Sequence, residues 1–364
     1  MSGYSKRLAR DIERWIGNGL IDRETGETLL RDAQANDRRS FSFGFILMMM
    51  AALLLCAALL LVIASNWDAI PRLTRVLAVF ALILAGYVGG ALLKMRGHDA
   101  FAQAAWLVAA AAFGGGIALI GQMYHLSGDE ETAILTWCAG TGLAAILLRS
   151  GPLTIGTAAI AASWLFTEGF DIWGRSIVPV SYPLVAAAIW LMSLWTRSAA
   201  TRHLIVLSLI AYAVLLAADR DVTLFGSLLA GLSLVLLTLS VLVGPAVERI
   251  VQLDGRLPLH ALLGFLTGAA MLQFEHTENA AVLVAAALVV FAVIAGTIYL
   301  LGRDSRGLRW LAYLGFAFEL CFLYMATIGT MLGTAGLLLA VGLVLAVAAF
   351  LIIRIERRMK MEPA

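Results

Sequence analysis

One acidic residue, Glu319, lies inside a long apolar run, residues 309–328. An acidic side chain at membrane depth costs about 3 kcal/mol by insertion scales, so it should face a bundle interior or a wet cavity. Such residues mark proton and ion routes, which makes Glu319 the first candidate for chemistry, as a protonatable centre. The alternative is structural: a neutral carboxyl that hydrogen-bonds a neighbouring helix and secures packing.

A second set of polar side chains follows two of the apolar runs, at ends predicted to reach the outer surface. These residues are Asn66, Trp67 and Asp68 after the first run, and Gln122, Tyr124 and His125 after the third. Trp and Tyr populate membrane interfaces and Asn and Asp cap helices there, which is the simpler interpretation. The functional interpretation is an outer gate or binding surface for a small solute.

His125 precedes the loop acids 129–131, and His276 lies between Glu275 and Glu278. Zinc sites require convergent ligands at recognised spacings, and one histidine beside loop acids does not supply them. We therefore predict no metal and no cofactor. An offset of 151 residues superimposes Gln122 on Gln273 and His125 on His276, which raises the hypothesis of an internal repeat.

The elements that position these residues are apolar runs. A mean hydropathy of +0.91 and 61% hydrophobic residues exclude an ordinary soluble domain. We predict an all-α, polytopic integral membrane helix bundle of about 12 spans, several of them near the lower length limit for crossing a bilayer. The predicted spans are 44–65, 73–93, 102–122, 132–148, 152–167, 180–196, 203–218, 222–243, 258–273, 280–301, 309–328 and 331–353.

The third run contains Gly114-Gly115-Gly116. Three adjacent glycines weaken a helix by about 1 kcal/mol each, so a locally unwound segment is one hypothesis. Close packing of helices through small residues is the favoured one.

Charge orients the bundle. The tails and even-numbered connections hold 22 of the 26 Lys and Arg residues, and the odd-numbered connections hold four. Because basic residues are retained in the cytoplasm, both termini are predicted to be cytoplasmic. The outer connections carry ten acids against those four bases, a formal −6, which would attract a cation or a cationic solute. The mildly basic total is a signature of membrane orientation, and no nucleic-acid partner is predicted.

Residues 1–42 are predicted to form a cytosolic helical hairpin, followed by the membrane bundle over 43–354 and a basic cytosolic tail over 355–364. Leu8, Ile12 and Ile16 follow one helical face, and a break at 17–19 precedes a second helix predicted from Arg23. A hairpin this small buries little surface, so it should lean on the membrane domain or on a cytosolic protein partner.

Asn66-Trp67-Asp68 after a long apolar helix, then Gln122-Met123-Tyr124-His125 and Trp137, resemble the bacterial membrane-protein family called domain of unknown function 2157. Gly19-Leu20-Ile21 in the N-terminal segment is similar to a turn of that family. The resemblance covers about residues 5–150. It implies a multi-pass protein of the bacterial inner membrane and supplies no activity.

Two functions remain open. The first is binding or transport of a small solute or lipid-like molecule in the lipid bilayer, with Glu319 at its centre. The second is a non-transporting scaffold or sensor coupled to the cytosolic hairpin. An enzyme is disfavoured, because the sequence holds no esterase nucleophile motif, phosphate loop or paired-histidine metalloprotease motif.

Overall fold

The computed structural model describes residues 3–29, 43–65, 71–125, 130–169, 178–302 and 305–327, together with residue 342. The described residues form helices joined by turns and short connections, and no strand occurs among them, which confirms the all-α class. The chain divides into two compact units, residues 1–116 and 117–364, and each is described by itself.

The first unit begins with a helical hairpin and continues with long apolar helices. Its helices are α1 (Gly3–Gly17), α2 (described over 23–29), α3 (Phe43–Ser65), α4 (Arg72–Met95) and α5 (Asp99–Met123), the last of which continues into the second unit.

Helices α1 and α2 form a hairpin and contact each other at Gly26, which has no side chain. Ile12 of α1 is fully buried. A Cβ on Gly26 would stand 2.8 Å from Cδ1 of Ile16 and 3.1 Å from Cγ2 of Ile12, so α2 packs on α1 through the bare glycine. Gly19 has φ of +70°, a conformation that glycine adopts without strain, and it lets the chain reverse after α1.

Helices α4 and α5 pack through glycines one turn apart on α4. A Cβ on Gly86 would stand 2.8 Å from the Cβ of Ala109, and a Cβ on Gly90 would overlap the ring of Trp106. The Trp106 indole N–H donates to the backbone oxygen of Tyr87 at 3.2 Å. Small residues at this spacing let two membrane helices approach closely.

Helix α5 runs without interruption through Gly114-Gly115-Gly116. A Cβ on Gly116 would stand 2.8 Å from Cγ1 of Val79 on α4. The hypothesis of a locally unwound segment is therefore wrong, and close packing accounts for this glycine.

The second unit contains the remaining helices. They are α6 (Glu130–Leu148), α7 (Gly151–Gly169), α8 (Tyr182–Thr196), α9 (Ala199–Asp219), α10 (Val222–Leu242), α11 (Gly244–Val251), α12 (Leu257–Glu275), α13 (Ala280–Leu301) and α14 (Arg306–Thr327). Helix α12 packs against α9, α10, α13 and α14, and α7 packs against α6, α8 and α9.

The closest helix pair of this unit is α10 with α12. Gly264 and Gly268, one turn apart on α12, face Ser233 and Ala230 of α10. A Cβ on Gly268 would stand 2.7 Å from the backbone nitrogen of Ala230 and 2.8 Å from the oxygen of Gly226. The two backbones are therefore in direct contact, as in helix pairs built on small residues.

An apolar core lies where α12 meets α13 and α14, and Ala230 of α10 packs against it. Its buried members are Leu262, Phe265, Ala269, Val290, Ile294, Leu308 and Ala312. Full burial of a large aliphatic side chain contributes about 2 kcal/mol in water. In a bilayer the tails are equally apolar, so here the contribution comes mainly from packing.

Eight helices in the described part of the chain are long and apolar enough to cross a membrane. They are α4, α5, α6, α9, α10, α12, α13 and α14. Some leucine side chains on these helices are exposed, for example Leu84 at 65% and Leu314 at 63%. Exposed apolar side chains of this kind are typical of helix surfaces that contact lipid. Helix α8 has only 15 residues, and the predicted span 331–353 lies outside the described residues apart from residue 342. The total of about twelve spans and the cytoplasmic termini therefore stay predictions.

Candidate functional site

Glu319 of α14 and Gln273 of α12 form a buried polar pair. The side-chain amide Nε2 of Gln273 donates to Oε1 of Glu319 at 2.6 Å. Glu319 is 3% exposed and Gln273 is 1% exposed. This geometry meets the expectation that an acid in an apolar run faces the interior of the bundle.

Contacts between α12 and α14 show where this pair lies along the two helices. Leu259 lies beside Gly307, Leu266 lies beside Gly315, and Phe274 meets Phe322 edge to face at 4.7 Å between ring centroids. The two helices therefore run parallel and in register. At 1.5 Å per residue, Glu319 lies about 20 Å from the start of α14 and about 12 Å from its described end. The pair thus lies nearer the Glu275 end of α12 than the centre of the bundle.

The pair is incompletely satisfied. The amide oxygen Oε1 of Gln273 is buried and has no hydrogen-bond partner among the residues that the structure describes. Within the described part of the chain, no basic side chain forms an ion pair with Glu319. An unpaired buried acceptor destabilises the folded state by about 1–3 kcal/mol. A protonated carboxyl or another donor that binds this oxygen would remove that cost.

A carboxyl beside an amide can serve both protonation states. When Glu319 is ionised, the amide N–H donates to the carboxylate, as observed. When Glu319 carries a proton, the same amide rotated by half a turn accepts the O–H through its oxygen, because Gln offers both a donor and an acceptor. Reversible proton binding is the chemistry that this arrangement supports.

The other predicted site residues lie elsewhere. Gln122, Tyr124 and His125 are exposed at the end of α5 and in the turn after it, where His125 has φ of +48°. In the described structure, no hydrogen bond joins any of these three to Glu319. Asn66, Trp67 and Asp68 lie outside the described residues.

The proposed repeat pairs residues whose surroundings differ. Gln122 is exposed, whereas Gln273 is buried and bonded to Glu319. Both glutamines lie close to the end of a helix, at Met123 and at Glu275. Searched over the described residues, the structure holds no group of three or more His, Cys, Asp or Glu side chains placed to hold a metal ion.

Sequence reasoning missed a buried arginine. Arg202 is 5% exposed, whereas the predicted span 203–218 leaves it in the preceding connection. Its Nε donates to the oxygen of Gln252 at 2.8 Å and one terminal nitrogen donates to the oxygen of Ser193 at 3.2 Å. These carbonyls lie at the C-terminal ends of α11 and α8, which carry partial negative charge and stabilise a cation.

A histidine pair lies next to this arginine and was also missed. The rings of His203 on α9 and His260 on α12 stack with centroids 5.0 Å apart and planes 9° apart. The one available sequence signal was the polar run Thr201-Arg202-His203 at the start of an apolar helix. Nothing in the sequence indicated that His260 would face it.

The chain was compared with known proteins. Residues 13–154 match the model of a family described as "Predicted membrane protein (DUF2157)". The match confirms the resemblance predicted from the motifs, over nearly the same residues. No curated protein and no solved structure matches the chain. The long apolar helices and this match define a membrane protein, and the family description names no activity.

Proposed function

We propose that the protein binds or transports a small solute or a lipid-like molecule in the bacterial inner membrane, with Glu319 as its protonatable centre. The observation that carries the proposal is the buried Gln273–Glu319 pair, in which the amide oxygen of Gln273 has no partner within the described part of the chain. In this proposal, the outer gate or binding surface predicted from the sequence comprises Asn66, Trp67, Asp68, Gln122, Tyr124 and His125, of which 66–68 lie outside the described residues.

The pair fits this role better than a purely structural one. A carboxyl kept only for packing would be expected to have its neighbouring donors and acceptors satisfied, since each unpaired group destabilises the fold. Here the acceptor left open belongs to the residue that also donates to Glu319. Uptake of one proton by Glu319 creates an O–H donor beside that acceptor.

Water access to Glu319 is the first test. A water-soluble carbodiimide and an amine nucleophile are applied to the purified protein in detergent, and modified carboxyls are located by mass spectrometry. The exposed Glu275 and Glu278 serve as internal controls for reactivity. We expect Glu319 to react more slowly than these two and still measurably. Complete protection of Glu319 while both controls react would contradict a transport path.

A ligand screen is the second test. Thermal unfolding is followed against ions, amino acids, sugars, nucleotides and lipid headgroups for the wild type, Glu319→Gln and His125→Ala. A ligand at a hundred times its Kd stabilises the folded state by about 2.7 kcal/mol. A shift present in the wild type and lost in either variant would name the solute class. No shift across the panel would contradict the proposal.

The second candidate function is a scaffold or sensor that relays through the cytosolic hairpin. The observation that favours it is the packing of α2 on α1 through Gly26, which gives residues 3–29 a defined shape. Its test is removal of residues 1–40. A cellular phenotype that follows this deletion and is unaffected by Glu319→Gln would favour the scaffold over the transporter.

A further inference from the structure

The histidine pair at the other end of α12 carries an inference that is independent of Glu319. His203 and His260 come from helices far apart in sequence, and their stacked rings form part of the contact between α9 and α12. Histidine changes charge near neutral pH, so a contact made by two histidines responds to protons.

Hydrogen bonding gives the two rings different roles. Nδ1 of His260 lies 2.9 Å from the backbone oxygen of Arg256, and because a carbonyl only accepts, this nitrogen carries hydrogen. His260 is 5% exposed. Nδ1 of His203 is buried, and none of the described residues forms a hydrogen bond with it. The His260 ring is therefore held by a hydrogen bond, whereas the His203 ring has a nitrogen that no described residue binds.

Basic and acidic side chains both lie near the pair. Arg202 and Arg256 place positive charge near His203, Asp254 places negative charge there, and Asp254 and Glu248 also lie near Arg202. The guanidinium of Arg202 is held by the carbonyls of Gln252 and Ser193, so it cannot turn away. Two protons on the stacked rings would place two further positive charges 5.0 Å apart in this setting.

We propose that the His203–His260 pair is a second proton-binding site, which holds at most one proton while the rings are stacked. A second proton separates the rings and loosens the contact between α9 and α12. Because Gln273 lies on the same helix as His260, about 20 Å away, α12 then connects two proton-binding sites.

The test uses phenylalanine, which preserves ring stacking and removes the charge. Thermal unfolding of the full chain in detergent is measured from pH 8 to pH 5 for the wild type, His203→Phe, His260→Phe and the double variant. We expect the wild-type Tm to fall by roughly 5 °C more than that of the double variant between pH 7.5 and 5.5. His98→Phe, which changes a histidine in the turn before α5, should behave as the wild type. Parallel pH curves for the wild type and the double variant would overturn the proposal.

A second measurement does not require the variants to be stable. The wild type contains five histidines, and ¹³C labelling of their rings follows each by NMR. Interacting sites titrate in two separated steps. We expect two of the five resonances to show such coupled steps. Five independent single-step curves would overturn the proposal.

Discussion

Gly268 of α12 lies so close to Ala230 of α10 that a Cβ on Gly268 would stand 2.7 Å from the Ala230 backbone nitrogen. Backbone atoms cannot rotate aside as a side chain does, so the separation of these two helices depends on the missing side chain. Helix α12 also carries Gln273 and His260, and its position therefore affects both polar sites.

Replacing Gly268 with alanine should destabilise the protein by about 1–3 kcal/mol, because the added methyl group forces α10 and α12 apart. Thermal unfolding in detergent measures the effect. Gly231→Ala is the matched control, since Gly231 is adjacent to Ala230 and a Cβ there meets no atom of the described residues within 4 Å. Equal Tm values for the two variants would show that the close approach contributes nothing.

Gly90→Ala tests the first unit in the same way. The new Cβ would overlap the ring of Trp106, which is 1% exposed and hydrogen-bonded to Tyr87, so the ring has little freedom to move. We expect a loss of about 1–3 kcal/mol in thermal unfolding. At the adjacent Gly89 a new Cβ would meet no atom within 4 Å in the part of the chain that the structure describes, so Gly89→Ala should be neutral or slightly stabilising. A neutral result at Gly90 would contradict this packing.

Arg202→Met removes the cation that binds the C-terminal ends of α8 and α11. Two carbonyls lose a charged donor, at about 1.5–3 kcal/mol for such a bond, so the variant should be destabilised by about 3 kcal/mol. Arg202→Lys keeps the charge without the planar fork and should recover only part of that loss. The exposed Arg197, replaced by Met, is the control and should change the Tm little. Full recovery with lysine would show that charge alone matters.

Asp22 gives a pH prediction outside the membrane helices. The hydrogen bond to the Thr25 side chain, helped by backbone N–H groups, holds the pKa of Asp22 below its ordinary value. Because the folded pKa is lowered, the stabilisation of α2 is present at neutral pH and is lost as the pH falls through that lowered value, below about 3.9. The NMR shift of the Thr25 amide should titrate with a midpoint below 3.9, and Asp22→Ala should abolish the titration. A midpoint at the ordinary value would contradict the interaction.

Helix limits were predictable because charged residues bound the apolar runs. The predicted span 280–301 coincides with α13, and 73–93 lies within α4. The same physics predicted that Glu319 would be buried, since an exposed acid in lipid is too costly.

Helix pairing was not predictable from periodicity. Nearly all faces of these helices are apolar, so no stripe marks which face meets which neighbour. Gln273 was predicted only as part of a possible repeat, and its bond to Glu319 became visible only in the structure. The predicted span 203–218 leaves Arg202 outside the helix, among the basic residues of an even-numbered connection. Two helix C-termini make its burial tolerable instead.

Membrane orientation is the prediction on which the inner and outer assignments depend. Lys and Arg are retained in the cytoplasm, so the turn at Arg256 should face inside, and the end of α5 at Tyr124 should face outside. Single cysteines at these two exposed positions, in a background without Cys56, Cys138 and Cys321, are treated with a membrane-impermeant maleimide on intact cells. Tyr124→Cys should be labelled at once and Arg256→Cys only after the membrane is permeabilised. The reverse result would place the histidine pair near the outer surface and Glu319 nearer the cytoplasm. Each site would then receive protons from the opposite side of the membrane.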